Sequence, residues 1–549
     1  MSETVYHGLD EESRQMVLDT VAQLKSRMLT KDKILEFDKN ETFPEDTIRQ
    51  MLGPEIGLQL LFIPEAYGGM EGGARDCCAV TKEMAKICLG VATAFFAIQL
   101  GADPLLVGGT EEQKQKWLGA IAEGNALVAY AVTEAGAGSN VAALKTKADP
   151  VLNDAGEITG YTVNGTKQFI STGGAADFIT LLAKTPEGPT FFVVEKDAPG
   201  FKRGKGEEKH GIRASNTSPL TFDDVFVPIE NLIGGVAGKG LKQANAVFGF
   251  TRVMVAAMAL GAGEAALEIA IPYAKERIQF GSPLSEKQGY THKLIVPNAV
   301  RLEAATAFME EVALRLDSGE RELQVEGSIS KYFCSEAANK TADDAIQALG
   351  GYGYISEFEV EKIKRDVKIT CIYEGTSEIQ QNIISTFRWR TTRKTKGAFY
   401  GDIATEMDTL DSEDARVGGR HIARAARALN AAIDLAHNNR LTRQQHVMFG
   451  LADMMTYVET AASLSRKAVR LKAAGDSRAA KLEPMARLFA AETAQLVAQN
   501  GLQMTMGTDI LDASVAADFR KQAEIDLLFD SHADTITDMD RVADILFER

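Results

Sequence analysis

Tyr373, Glu374, Gly375, Thr376, Ser377, Glu378, Ile379 and Gln380 follow one another in this chain, setting a carboxylate between an aromatic ring and a glycine in an otherwise apolar setting. Such a glutamate is a candidate base for a weakly acidic proton, because burial raises its pKa toward the range where it accepts one. The same residues also read as the start of a helix, with Thr376 as cap and Glu378 beside the positive end of the helix dipole. The octapeptide by itself leaves both readings open.

Other short motifs accompany it. Gln347, Ala348, Leu349, Gly350, Gly351, Tyr352, Gly353 and Tyr354 lie upstream, with Arg365 and Asp366 after them and Arg277, Gln279, Phe280 and Gly281 before them. In the amino-terminal half, Pro64, Tyr67, Gly68 and Gly69 close an apolar run. Thr133, Glu134, Ala135, Gly136, Ala137, Gly138, Ser139 and Asn140 form a second small-residue motif, and Gly165, Thr166, Lys167, Gln168, Phe169, Ile170 and Ser171 a third. Each glycine alone is an ordinary turn or helix end. Together and in this order, the motifs resemble the acyl-CoA dehydrogenase family. The helices that continue after the glutamate resemble the layout of its very-long-chain members.

Dehydrogenating adjacent carbons beside a thioester needs a base for the α proton, an acceptor for the β hydride and donors for the developing enolate. The resemblance implies that Glu374 is the base, that FAD takes the hydride, and that the product is the trans-2-enoyl-CoA of fatty-acid β-oxidation. It places the backbone N–H of Glu374 on the thioester carbonyl. It also implies Thr133 and Ser171 on the flavin ring, Phe169 packed against it where many relatives carry tryptophan, and Arg277 at the pyrophosphate. Phe280, Gln347, Gly350 and Gly351 then line the adenosine end, these residues and Arg277 coming from a neighbouring subunit, and Thr376, from the same chain as the base, and Glu378 complete the cofactor set. Ser139, which also belongs to that set, and Arg252 lie where the family contacts acyl-CoA; Arg252 equally reads as a core ion-pair partner. Tyr373, Gly375 and Phe96 join the substrate-binding residues, although Phe95 and Phe96 also read as core. Some members carry the base just before the arginine matching Arg252; here Thr251 occupies that position and cannot serve.

The resemblance further implies an electron-transfer flavoprotein as electron acceptor and a homodimer. Two other readings share the same residues: an acyl-CoA oxidase that reduces O2, and a nonenzymatic scaffold flavoprotein. The scaffold reading predicts a lost base, whereas Glu374 is present. No arginine stands in Val91–Phe96 where glutaryl-CoA dehydrogenases recognise a distal carboxylate, and the bulky Phe96 leans toward a short, medium or aromatic acyl group.

Composition narrows the classes. With 549 residues, 45% of them apolar, several domains with a large core are expected. A net charge of −16 argues against nucleic acid or an anionic membrane as partner. Apolar runs stay short of a spanning length and Met1–Asp10 lacks a secretory pattern, so the expected location is cytoplasmic. Five cysteines without metal-ligand spacing read as buried thiols, and no metal site is expected.

The elements that must position these residues are an α+β multidomain set. Residues 1–125 have helical periodicity, punctuated at Pro44, Pro54 and Pro64, and read as an all-α domain. Residues 126–235, with runs such as Tyr161–Val163, Phe178–Leu182 and Thr190–Val194, read as a β-barrel or β-sandwich. Residues 236–390 read as a four-helix bundle interrupted at Pro272, Pro283 and the glycines near 351. A basic connector, Arg388–Lys396, leads to an extra helical bundle over 395–549. Shifting the numbering by 156 lays 329–379 over 485–535, so the extra bundle reads as a degenerate repeat, with Phe529, Asp530, Ser531 and His532 where the first copy has Tyr373, Glu374, Gly375 and Thr376. Chance similarity of two Ala-rich helical stretches is the alternative. Arg416, Arg420, Arg424 and Arg427 form a possible basic stripe for anionic lipid, or a solvated helix face.

Overall fold

Helices begin where the chain supplies a cap. Asp10 accepts the Ser13 N–H at 2.7 Å ahead of Glu11–Arg27, and Thr110 and Gln113 cap each other's backbone N–H ahead of Glu111–Ala122. Pro44 precedes Glu45–Leu52 and Pro64 precedes a short 3-10 turn. The computed structural model describes residues 8–320 and 322–549, so the first seven residues of the expected amino-terminal domain lie outside it. The chain forms two units: Ala262 and the residues before it with Ala313–Leu323 and Arg365–Thr370, and Gly263–Val312 with Gln324–Lys364 and Cys371–Arg549.

In the first unit, Leu89–Gly108 is apolar on every face and is accordingly buried along nearly its whole length. This helix and Gly240–Glu276 are long and apolar enough to cross a bilayer, but 83% and 78% of their most apolar stretches are buried among other residues, the pattern of core helices. Pro272 does not interrupt Gly240–Glu276. It stands four residues from the end, where it removes a single helical N–H and the following turn still closes.

The expected β domain is one mixed sheet of seven strands: β1 (Val128–Ala131), β2 (Lys147–Leu152), β3 (Ile158–Ser171), β4 (Phe178–Thr185), β5 (Gly188–Glu195), β6 (Phe201–Arg203) and β7 (Thr217–Pro228). Their order is β1-β4-β2-β3-β7-β6, with β5 antiparallel to β4. Val163, Ile179, Leu181, Phe192 and Val225 share its core. One irregularity matters for function. Between Lys167 and Ile170, β3 advances three residues while β7 advances two. This bulge puts Phe169 at φ 61° and leaves its ring 60% exposed, whereas the neighbours Lys167 and Ile170 are buried.

The second unit is helical. At the shift of 156, Gln324–Leu349 falls on Ala479–Met506, Glu359–Val367 on Ala513–Gln522, and Ser377–Lys394 on Thr535–Phe547. The helical turns from Gln288 to Asp317 fall on Gln445–Ala473. Arg388–Lys394 is not a connector: it is the end of Ser377–Lys394, and the chain turns only at Thr395–Gly397. Arg388 reads as basic linker in the sequence but is buried, held by Glu326 and by both oxygens of Glu459, each contact between 2.8 and 2.9 Å. The arginine stripe also breaks up. Arg416 lies in a separate 3-10 turn against Asp414, Arg424 meets Asp530 and Arg427 meets Asp408, so local carboxylates neutralise the face.

Candidate active site

Thr376 caps Ser377–Lys394, accepting the Ile379 N–H at 3.4 Å, so the helix-start reading of the octapeptide holds. The two residues before the cap are bent. Glu374 has φ 54° and Gly375 φ 90°, a left-handed pair that costs a glutamate about 1 kcal/mol or more and persists only where surroundings enforce it. Two buried side chains do so. Gln380 Nε2 donates to the carbonyls of Glu374 at 3.0 Å and Gly375 at 3.1 Å, and Lys331 Nζ donates to the Gly375 carbonyl at 2.7 Å. A side chain at 375 would collide with Gln380 Nε2, which a Cβ would approach to 2.6 Å. With both carbonyls bonded to buried donors, Glu374 stands just ahead of a helix, and Tyr373, Glu374, Gly375 and Thr376 all stay partly accessible while Glu378 is exposed.

Around this turn, Ser377 Oγ donates to Glu336 at 2.6 Å. Burial, and then Glu336, push the Cys371 thiol up to about 12, so it remains protonated and offers no competing nucleophile. Lys331 and Gln380 carry no chemistry in the sequence motif. The one available signal is a lysine embedded among Gly327, Ser328, Ser330, Cys334 and Ser335, small residues that leave it room to lie inside.

A second set converges elsewhere in the same unit. Arg277, Gln347, Gly350 and Gly351 line one open cavity of about 530 Å³ with Tyr273, Tyr290, Tyr352 and Ile355. The Arg277 guanidinium lies 5.7 Å from the Tyr352 ring centre, and Tyr290 Oη donates to the Ala348 carbonyl. Gly350 has φ 61°, and a Cβ there or at Gly351 would meet nothing within 4 Å. The walls thus combine a cation, aromatic faces and bare backbone, a chemistry suited to a nucleotide diphosphate. Phe280 stands outside the cavity on the Gln279–Ser282 hairpin, with φ 51° and its ring 99% exposed.

The remaining candidates belong to the first unit. Thr133 and Ser171 are partly accessible, Ser139 and Phe169 exposed. Their backbones are tied: the Gln168 N–H donates to the Thr133 carbonyl at 2.9 Å. Beneath, Lys167 Nζ meets Glu134 at 2.8 Å and the Val132 carbonyl at 2.9 Å. Glu134 also accepts the N–H groups of Lys145 and Thr146. Burial works against the Glu134 charge, but Lys167 and these donors prevail and hold its carboxyl at about 2. The Glu134–Lys167 pair therefore pins the two motifs that carry Thr133, Phe169 and Ser171, a role the sequence reading did not assign. Arg252 is buried. Phe96 is buried as well, and its ring meets Phe95 edge-on at 5.1 Å, with Phe62 next in the cluster, the packing of a core residue.

Comparison with known proteins aligns with this distribution. Residues 11–125 match the model of the acyl-CoA dehydrogenase N-terminal domain, 129–225 that of the middle domain, and 238–387 and 403–521 that of the C-terminal domain. An acyl-CoA dehydrogenase from Bacillus subtilis (strain 168) is 41% identical over 64% of this chain and 91% of its own length. A crystal structure of an acyl-CoA dehydrogenase complexed with FAD from Bacillus anthracis superposes with a TM-score of 0.85 at 25% identity, covering 99% of this chain and 97% of that one. The butyryl-CoA dehydrogenase structure from Megasphaera elsdenii gives a TM-score of 0.65 at 36% identity over 69% of this chain and 98% of the other.

Proposed function

The chain belongs to the acyl-CoA dehydrogenase family, and from that premise we propose that it removes the α proton and β hydride of an acyl-CoA thioester, giving the trans-2-enoyl-CoA. The observation that carries this reading is the enforced left-handed turn at Glu374–Gly375, which keeps Glu374 partly accessible ahead of a helix while Lys331 and Gln380 hold the adjoining carbonyls. Glu374 takes the α proton. Its backbone N–H donates to the thioester carbonyl, where negative charge develops as the proton leaves. Substrate binding expels water from around the carboxylate and raises its proton affinity toward the task.

FAD is the cofactor in this reading, and when bound it supplies the hydride acceptor that no side chain can be. The residues present fit it. Arg277 meets the pyrophosphate, and Gln347 with the bare backbone at Gly350 and Gly351 takes the adenosine end within the 530 Å³ cavity. Thr133, Ser171 and the exposed Phe169 address the ring, and Thr376 completes the set. Ser139 and Arg252 contact the CoA thioester. The fully exposed Phe280 supports a second copy of the chain as the recipient of the Arg277 hairpin, and hence a homodimer. An electron-transfer flavoprotein is the expected electron acceptor. All five cysteines are buried thiols, in keeping with a reducing compartment such as the cytoplasm. The tail is a second, degenerate copy of the bundle, supported by the recurrence of its helices and by the C-terminal-domain match at 403–521.

The test is anaerobic titration of the purified protein with short, long, branched, dicarboxylic and aryl acyl-CoAs while following the flavin band. Bleaching by one class is the expected result and names the substrate. A flavin-loaded protein that none of them bleaches refutes the reading.

A further inference from the structure

The turn that presents Glu374 rests on Lys331 and Gln380, and each has a sequence neighbour that reaches the other way. Tyr332 Oη donates to Asp453 Oδ1 at 2.7 Å, and Gln381 Nε2 donates to the same oxygen at 2.8 Å and to Tyr332 Oη at 3.0 Å. Asp453 belongs to Gln445–Ala473, a helix of the tail. About two turns along, the same three helices are tied again: Arg388 from Ser377–Lys394 joins Glu326 of Gln324–Leu349 to Glu459 of Gln445–Ala473, and Tyr400 Oη adds a bond to Glu459 at 3.0 Å. A tail helix is thus bonded at two levels to both helices that hold the base-bearing turn.

From this geometry we infer that Asp453 is a positioning residue for Glu374, so that the tail sets the geometry of the proton-abstraction step. The inference rests on the dehydrogenase reading for its kinetic consequence, but its structural half does not. A left-handed glutamate relaxes unless its carbonyl acceptors stay where Lys331 and Gln380 reach them. Gln380 stands on the helix that the turn begins, so its reach is local, whereas the Lys331 reach depends on the separation and rotation of two helices. Asp453 fixes that relation, because one carboxylate oxygen accepting from two donors on different helices fails if either helix rotates. In a site that works by placing a base within hydrogen-bond distance of a carbon-bound proton, a small misplacement is expensive.

The test uses the full chain with FAD and compares Asp453→Leu and Asp453→Asn, the second of which keeps a carbonyl acceptor of the same shape. Two readouts are taken: deuterium exchange of the peptide spanning Cys371–Gln381, and the rate of flavin bleaching at saturating acyl-CoA with its half-saturation concentration. Asp453→Leu is expected to speed exchange at the turn and to slow bleaching by about tenfold or more, with half-saturation little changed, and Asp453→Asn to stay near the parent. Tyr332→Phe deletes one hydroxyl, keeps the ring, and makes the same prediction at smaller size should Asp453→Leu not fold. Unchanged exchange at the turn in whichever of these variants folds overturns the inference and leaves the tail architectural. A parent protein that no acyl-CoA bleaches removes the dehydrogenase reading, while the exchange result still decides whether Asp453 positions the turn.

Discussion

The rings of Phe333 and Phe489, 156 residues apart, lie 5.5 Å from each other, and the two residues are counterparts under the shift of 156 that lays one helical segment over the other. Tyr457 closes the cluster, 5.2 Å from one and 5.4 Å from the other. The contacts around it are reciprocal. Glu311 pairs with Arg466, the counterpart of Glu310, and Glu310 pairs with Lys467, the counterpart of Glu311. A residue meeting its own equivalent, flanked by exchanged pairs, is the pattern of an isologous interface between two like surfaces. Here both surfaces belong to one chain.

That arrangement predicts the oligomer. A bundle face already covered by its own copy has no need of another molecule, so sedimentation equilibrium should return the mass of two chains. A tetramer at micromolar concentration would contradict this.

Replacing the base separates chemistry from binding. Glu374→Gln should keep the flavin colour and lower the bleaching rate by on the order of a hundred- to ten-thousand-fold, the usual contribution of a positioned base. Retention of the parent rate in anaerobic stopped flow would remove Glu374 from the role.

Lys331→Met should leave the Gly375 carbonyl with Gln380 alone and remove its charge-assisted bond, at a cost of about 1.5–3 kcal/mol. Melting temperature and bleaching rate should both fall, with the half-saturation concentration of acyl-CoA nearly constant. A variant that loses substrate affinity instead would place Lys331 in binding.

The Glu134–Lys167 pair makes a pH prediction. The Glu134 carboxyl is held at about 2, below its ordinary 4.5, so the folded state favours the charged form. Its stabilising contribution is complete above 4.5 and fades as pH falls from there toward 2. Glu134→Gln leaves Lys167 buried with its charge unmatched, and loss of a buried partner costs about 3–5 kcal/mol. Melting curves of the two proteins should therefore lie well apart at neutral pH and draw together in acid; a constant gap down to the lowest accessible pH would show that the pair carries no such linkage.

Arg277→Met tests the cavity. Loss of a charge-assisted hydrogen bond, about 1.5–3 kcal/mol, should weaken FAD by roughly ten- to a hundredfold without lowering the stability of the apoprotein. Fluorescence titration with FAD reads this directly, and unaltered affinity would move the pyrophosphate elsewhere.

The sequence by itself determined what is local or carried by a contiguous motif. Glu374 and its helix cap, the glycines at 350 and 351, the strands of the β domain and the spacing of the repeat all depend on residues close together in the chain, or on a shift that preserves their order. Tertiary structure decided the rest. Lys331 supports Gly375 from 44 residues away and Asp453 supports Tyr332 from 121, and no periodicity marks such partners. Arg388 reads as linker because its charge is visible in the sequence while Glu326 and Glu459, which neutralise it, are distant. Pro272 reads as a break because its ring is, but packing carries Gly240–Glu276 through it to Glu276. The exposure of Phe169 arises from a bulge whose register only the neighbouring strand defines. Charge, cap and motif are properties of a residue and its neighbours; burial, pairing and presentation are properties of what the fold brings beside it.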